Sequence, residues 1–500
     1  MTIAYTKHPI SDSELRRRMF ACWLGKSIGG TLGMPFEGMR DTRKLTFYDP
    51  VPTEMQPNDD LDLQVVYVSL LLRQARPRIE REALAEVWQY VRMSPDEYGI
   101  VKRNLQLGLL PPTTGTYDNT FPRGMGAAIR TELWACLAAG DPDLAVRYAY
   151  EDACADHCGE GIDAAMFLAA IEAAAFVETD IDRLLDIGLS YLPSASELTA
   201  AVRDTRQWWD QTRDWQEVRL RLIERYYTAN FTDVVLNLSY ITLGLLAGGG
   251  DFGKSICVAV NCGDDSDCTG ATLGALAGIL WPDRIEEKWK APIGTRIVLS
   301  PTIEPIEHAS TLEEFTDQVM RLRDIVKPPT LSPTSTLQST DPLAIRATVG
   351  WRDSPLTDIH EALGTQTWLA GTMTTLHTPQ DAAFLIVQYP LTMASDFTGL
   401  LMFNTDRPVR VWFDGRLITY SAGGPSVPAF HRCEPTDQIQ PIECTAGSHY
   451  VTAEIEVRTV SAVRWVIGIC HDDMPPVCRR WLLDPFIRRG LGVRNHETVV

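Results

Sequence analysis

No run in this 500-residue sequence approaches the roughly 18 to 20 apolar residues of a membrane span. That argues against a membrane-spanning helix. Basic charge is also scarce: 46 Lys and Arg stand against 65 Asp and Glu, a formal net charge of −19. Binding nucleic acid through its phosphates needs a basic surface, so that class of partner is disfavoured. Bound divalent cations could offset part of the acidic excess. Paired cysteines are missing too, because the 11 thiols are odd in number and scattered without a disulfide framework. Cys154-Ala155-Asp156-His157-Cys158 has the look of a zinc ligand set, but no second thiol pair has finger spacing. Structural zinc is therefore not expected. Residues 1–18 are polar and lack an apolar signal core, and reduced thiols in a cytoplasmic setting are the economical reading. Asn230-Phe231-Thr232 and Asn237-Leu238-Ser239 fit a glycosylation pattern, which in that setting is chance. Strand-period alternation is nearly absent before residue 290, so the first three-fifths reads as an all-α domain of tightly packed helices.

What is present begins with Ser11-Asp12-Ser13-Glu14, which offers caps for a helix over Leu15 to about Leu24. Beyond it, Gly25, Gly29 and Gly33 share a helix face at four-residue spacing and permit close backbone approach by a neighbour. No strand precedes these glycines and their spacing is wrong for a dinucleotide fingerprint. Pro35 stops the helix and leaves Glu37 in the loop beyond. Asn58-Asp59-Asp60-Leu61-Asp62 then opens an apolar segment, and residues 63–93 read as helical. A second acidic cluster lies in Cys262-Gly263-Asp264-Asp265-Ser266-Asp267-Cys268, between an apolar run and a small-residue run. Each cluster sits at a helix mouth, where free N–H groups and the helix dipole favour negative charge. Acidic capping explains one such cluster. Two of them, each rich in oxygen ligands, look like two halves of a hard-cation site.

Between the clusters, residues 127–137 read as helical, and Gly140-Asp141-Pro142 marks a break with a new helix start. The alanine-rich stretch from Leu144 to Phe176 is interrupted at His157-Cys158-Gly159. His157 is either a partner in a helix–helix contact or a site residue at a helix end. Residues 180–250 continue the helical pattern, with Trp208-Trp209 and Tyr226-Tyr227 read as packing. The composition then changes. Lys327 to Thr336 is rich in Pro, Ser and Thr, as a linker is. Short β-rich runs follow at Ala383–Pro390, Leu400–Asn404, Val409–Phe413, Leu417–Tyr420, Tyr450–Val457 and Val463–Cys470. Asp414-Gly415 between two of them is a hairpin signal. The expected organisation is an all-α catalytic domain over 1–325, a linker over 326–345 and an all-β sandwich over 346–500. His471-Asp472-Asp473 reads as a loop.

A carboxylate-rich site without an obvious nucleophile points to metal-assisted attack by water, with a carboxylate as general base. Oxygen ligation suits Mg²⁺ or Mn²⁺ better than Zn²⁺. The chain resembles the ADP-ribosylglycohydrolase family over about residues 15–290, on three motifs in the right order. Gly29-Gly30-Thr31-Leu32-Gly33-Met34-Pro35-Phe36-Glu37 is similar to the family's G-D-x-L-G-x-P-x-E. Asn58-Asp59-Asp60-Leu61 stands in place of T-D-D-T. Gly263-Asp264-Asp265-Ser266-Asp267-Cys268 stands in place of G-G-D-T-D-T. The resemblance implies an orthogonal all-α bundle with a binuclear Mg²⁺ or Mn²⁺ centre. It implies hydrolysis of an ADP-ribosyl or related ribosyl bond at the anomeric carbon. Asn58, Asp59, Asp60, Asp265 and Asp267 would be metal ligands, with Glu37, Asp60 and Asp265 at the chemistry. His157 would face the substrate, with Asn119, Gly124 and Gly126 lining the cleft.

The sequence also departs from the family pattern. Gly30 replaces an aspartate, Asn58 and Leu61 replace threonines, and Cys268 replaces the last threonine of its motif. A small-molecule ribosyl or other glycoside is the alternative to a protein-linked substrate. A non-catalytic scaffold on the same fold is a further alternative. The β-domain could bind carbohydrate or mediate homo-oligomerisation; exposed aromatics near Trp412 or Trp465 would favour the former and a flat apolar face the latter.

Overall fold

Ser11 caps the first helix, Asp12–Gly33, by accepting a hydrogen bond from Glu14 N at 3.3 Å. The computed structural model describes residues 10–106, 108–117, 119, 121–228, 230–329, 344–355, 364–369, 374–379, 382–393, 396–423, 438–458, 460 and 462–470. The first helix does not end near Leu24. It runs on through all the glycines and gives way to a 3-10 turn, Met34–Phe36, that carries Pro35. The physical reason lies in its partner, helix Ser266–Leu280. A Cβ on Gly25, Gly29 or Gly33 would stand 2.0, 1.9 or 2.1 Å from the carbonyl oxygens of Gly274, Gly270 and Ser266. No side chain fits at such separations, so only glycine permits this crossing. The numbers run in opposite directions, so the helices are antiparallel. The end of the first helix therefore meets the beginning of the second.

The expected helix over 63–93 is in fact divided. Helix Asp59–Arg73 is followed by a short turn of helix, Arg81–Leu84, and a 3-10 segment, Ala85–Gln89. Pro77 interrupts the run, and the chain there turns aside to pair with Lys327: Ile79 N donates to Lys327 O at 3.2 Å and Lys327 N to Pro77 O at 2.9 Å. Asp141 and Pro142 open helix Pro142–Ala153 as the break predicts, and helix Glu160–Ala175 follows the His157 interruption. Helices Ile181–Ser190, Glu197–Thr212, Trp215–Tyr226, Val234–Gly248 and Phe252–Asn261 complete the helical stretch before Ser266. Helix Leu312–Ile325 comes last. Among the described residues no helix is long and apolar enough to cross a membrane.

Among the described residues the β-rich region holds ten strands: β1 (Ala344–Arg352), β2 (Gly364–Leu369), β3 (Thr374–His377), β4 (Phe384–Met393), β5 (Phe397–Asn404), β6 (Val409–Phe413), β7 (Arg416–Ser421), β8 (Ile439–Cys444), β9 (Gly447–Glu456) and β10 (Ala462–Cys470). They form two antiparallel sheets, β2-β1-β4-β9-β6-β7 and β3-β10-β5-β8. Alternate residues of both sheets, among them Leu385, Val387, Val451, Ala453, Leu401, Phe403 and Trp465, share one apolar core. This is the expected sandwich. Strands β1, β2, β3 and β8 add to those read from the sequence. At the β6–β7 turn both Asp414 (φ 46°) and Gly415 (φ 80°) adopt the left-handed conformation of a two-residue hairpin.

By its internal packing the chain divides into two compact units. One comprises Met1–Val91, Leu110–Gly115 and Pro122–Leu337; the other comprises Arg92–Leu109, Thr116–Phe121 and Gln338–Val500. Most of the Pro/Ser/Thr stretch and His471-Asp472-Asp473 lie outside the described residues.

Candidate metal centre

The antiparallel glycine seam brings three sequence motifs together. Beyond Gly33 the chain turns through Phe36, and the Glu37 loop pairs with the second acidic loop. Gly38 N donates to Asp264 O at 2.9 Å, and Asp264 N to Met39 O at 3.0 Å. Gly263 (φ 84°) and Asp264 (φ 60°) take the left-handed conformation, which turns the chain into helix Ser266–Leu280. The carboxylates of this loop then part company. Asp264 is held by Arg40 (Nε to Oδ1, 3.2 Å) and by the Tyr240 hydroxyl, which donates to its Oδ2 at 3.3 Å. It is a loop fastener. Asp265 and Asp267 join Glu37 in a group whose carboxylate oxygens lie within 4.8 Å of one another.

The other half comes from helix Asp59–Arg73. Asn58 caps it, its Oδ1 accepting from Asp60 N at 2.8 Å, while its Nδ2 donates to Asp267 Oδ2 at 3.3 Å. Asp60, Asp267 and the Cys268 thiol form a second group, also within 4.8 Å and buried throughout. Asp267 therefore belongs to both groups. Asp59 is half-buried and belongs to neither, although its charge acts on Asp60 and Asp267. Asp62 is a structural carboxylate, its Oδ2 accepting from Ser300 N at 3.0 Å. A small pocket, no larger than a water needs, lies beside Asp60 and is lined by Lys26, Gly30, Thr31, Gln56 and Asn58 among others.

Electrostatics sets these carboxylates apart. Burial, reinforced by the charges of Glu37, Asp265, Asp60 and Asp59, pushes the Asp267 carboxyl well above the usual range. Burial likewise pushes Asp60 up to about 7, partly offset by Lys26. One oxygen of each, Asp60 Oδ2 and Asp267 Oδ1, is buried without a hydrogen-bond partner. A buried polar atom in that state costs free energy that a bound cation would recover. The donor set of converging carboxylates with orphaned oxygens fits divalent cations.

Lys26 is a residue that sequence reasoning missed. Its ammonium is 1% exposed and donates to Glu132 Oε1 at 2.8 Å and Ile129 O at 2.8 Å, with Asp60 Oδ1 at 3.4 Å. Burial opposes its charge, yet Glu132 and Asp60 hold its pKa above the ordinary lysine value. Gln64 completes the knot, donating to Glu132 Oε2 at 2.8 Å. The available signal was a lone charge within the small-residue and apolar stretch Cys22–Gly33.

The residues expected to face substrate belong to neither carboxylate group. The His157 ring is fully buried, with Nδ1 2.9 Å from Asp156 Oδ1. Asp156 is also clasped by Arg130, at 2.7 and 3.0 Å. Burial works against the Asp156 charge, but Arg130 and His157 hold its carboxyl down at about 2. Gly126 O accepts from Arg130 Nη1 at 2.5 Å, and Gly124 is buried beside it in sequence. Asn119 lies in the other compact unit, its Oδ1 accepting from Phe121 N at 2.8 Å.

A family model described as ADP-ribosylglycohydrolase matches residues 11–326. Among solved structures, one described as an ADP-ribosylglycohydrolase-related protein complex is similar at 19% identity, covering 63% of this chain and 99% of its own, with a TM-score of 0.42. Another, an anti-sigma factor domain-containing protein from Clostridium clariflavum, is 11% identical, covering 29% of this chain and 45% of its own, with a TM-score of 0.18. No curated protein matches the chain.

Proposed function

The chain belongs to the ADP-ribosylglycohydrolase family, and on that premise we propose that it hydrolyses an N- or O-glycosidic bond of an ADP-ribosyl or ribosyl-type group with the aid of divalent cations. The observation that carries this reading is the pair of overlapping ligand groups that share Asp267, with buried oxygens on Asp60 and Asp267 lacking partners. Asp60, Asp265 and Asp267 would hold two ions, Mg²⁺ or Mn²⁺, assisted by Asp59 and Asn58. Such ions would supply an acidified water and a fixed point for a substrate diol. Glu37 is exposed in its loop, unlike Asp60 and Asp267. It is the carboxylate best able to take a proton from water and pass it to solvent. Asp265 would act beside it in the same group. Lys26 holds Asp60 in place and offsets part of the local negative charge.

Gly124 and Gly126 would line the cleft, as the family resemblance implies. The enclosed His157 would act through Asp156 and Arg130 rather than by direct contact. The β-rich region would serve as an accessory domain and a route to homo-oligomers, in a cytoplasmic setting. A small-molecule glycoside is the alternative to a protein-linked substrate. Titration calorimetry of chelator-treated protein with Mg²⁺ and Mn²⁺, with and without ADP-ribose, tests the reading. Metal binding that ADP-ribose strengthens supports it. Metal binding indifferent to ADP-ribose turns the search to other glycosides, and absence of metal binding removes the hydrolytic reading.

A further inference from the structure

Cysteine is an unusual neighbour for a hard-cation site, and Cys268 lies inside this one. Its Sγ shares a group with carboxylate oxygens of Asp60 and Asp267, all within 4.8 Å of one another. The three residues are only 7%, 1% and 4% exposed. Other thiols of this region have a different lot: the free thiols of Cys22 and Cys136 are hydrogen-bonded to each other inside the helices, and Cys154 Sγ donates to Glu151 O at 3.6 Å. Cys268 faces carboxylates instead. Asp60 Oδ2 and Asp267 Oδ1 are buried and without hydrogen-bond partners, so the group contains acceptors that nothing in the protein satisfies. Thiolate is a soft ligand, and adding it to two carboxylates changes which ion the set prefers. Zn²⁺ accepts a set of two carboxylates and one sulfur, whereas Mg²⁺ takes the carboxylates and avoids the sulfur.

We propose that Cys268 is a metal ligand that makes the Asp60–Asp267–Cys268 position selective for a thiophilic divalent ion, of the Zn²⁺ or Co²⁺ kind. The Glu37–Asp265–Asp267 position, made of oxygen alone, keeps the preference for Mg²⁺ or Mn²⁺. The centre is then asymmetric, with Asp267 common to a soft and a hard position. This rests on the reading that the carboxylate groups bind metal, and at one of them it replaces Mg²⁺ or Mn²⁺ by a thiophilic ion. It also gives a reason for the position to tolerate cysteine: a thiol enclosed by carboxylates is useful only when a cation lies between them.

Co²⁺ reports sulfur ligation directly, because a thiolate–Co²⁺ bond gives a charge-transfer absorption in the near ultraviolet that oxygen ligands do not. The full chain is stripped with chelator and titrated with Co²⁺, then with Mn²⁺, alongside the Cys268→Ser and Cys268→Thr variants. The expected result is a near-ultraviolet band in the native chain that saturates at one equivalent and is lost in both variants. Mn²⁺ binding at the other position persists in all three, and Zn²⁺ displaces the Co²⁺ band where Mg²⁺ does not. Circular dichroism melts confirm that the variants are folded, and the Mn²⁺ signal confirms that their remaining site is intact. If Co²⁺ binds the native chain without the band, or the band survives in Cys268→Ser, the assignment of Cys268 is wrong while the metal-dependent reading stands. If neither Co²⁺ nor Mn²⁺ binds the native chain, both fail together.

Discussion

The helical region and the β-rich region bury polar groups differently. At the centre of the sandwich buried polar groups pair with one another: Trp465 Nε1 donates to the Tyr389 hydroxyl at 2.7 Å, and Asn404 Nδ2 to Gln438 Oε1 at 2.8 Å, while Thr378 Oγ1 just beyond β3 has no partner. The core around them is apolar. In the helical region, charge is buried in quantity and not all of it is satisfied. Lys26, Glu132, Arg130, Asp152 and Asp156 are enclosed in ion pairs, while Asp60, Asp267 and Glu172 carry buried oxygens without hydrogen-bond partners. Buried unpaired charge opposes folding. A fold retains such groups where they do chemistry, so the contrast supports placing the proposed chemistry in the helices.

The strongest test of that contrast is Asp267→Asn. It removes the carboxylate common to both ligand groups, so turnover should fall by about a thousandfold, the equivalent of several kcal/mol of metal-assisted stabilisation. The melting temperature of the metal-free chain should hold or rise, because an orphaned buried carboxylate is replaced by a neutral amide. A variant that melts early and still turns over would break the comparison. Next in size, Lys26→Met should destabilise the chain by about 3–5 kcal/mol at pH 7, because Glu132 and Asp60 lose their buried counter-charge. Chemical denaturation measures it. Trp465→Ala in the sandwich should cost a similar amount, about 3–5 kcal/mol, through lost packing. It should leave calorimetric metal affinity unchanged, whereas Lys26→Met should alter it.

A pH series separates the regions further. An unfolded aspartate titrates near 3.9, whereas folded, metal-free Asp60 is pushed up to about 7. The fold therefore holds a proton that the unfolded chain releases, and Asp60 makes stability fall as pH rises from about 4 to about 7. Asp156, held down at about 2, acts in the opposite sense, losing its contribution as pH falls from about 4 to about 2. Melting curves of chelated protein between pH 4.5 and 7 should show the first slope, to which the raised Asp267, Asp62 and Glu172 also contribute, and Asp60→Asn should lessen it. The smallest effect belongs to the sandwich surface. Arg458 and Glu456 lie 4.0 Å apart with both side chains exposed, 56% and 42%. Glu456→Gln should cost under about 1 kcal/mol, as exposed ion pairs do. A larger loss in a denaturant titration would mean that the sandwich also depends on charge.

Much of this was legible in the residues, for local reasons. Asp141 before Pro142, Ser11 before Asp12 and Asn58 before Asp59 mark helix starts because side-chain oxygens there satisfy free N–H groups. Asp414-Gly415 marks a hairpin because both residues tolerate positive φ. Strands β1 to β3 and β8 were not legible. In β8, Pro441 sits within the strand and the burial alternates weakly, so period alone carries little signal.

The sequence by itself determined that two acidic helix mouths and a glutamate lie in order along a helical chain, and that a β-rich region follows. Residue type and spacing act within a few positions, and caps, turns and periodicities need nothing more. Only the tertiary structure decided which carboxylates meet. Gly25, Gly29 and Gly33 look like a packing face, but their partners Gly274, Gly270 and Ser266 lie more than 230 residues onward. That antiparallel crossing delivers Glu37 to Asp265 and Asp267, consigns Asp264 to Arg40 and Tyr240, and encloses Lys26 beside Asp60. A carboxylate's role depends on the charge and dielectric around it. Those are supplied by segments remote in sequence, so packing alone could assign them.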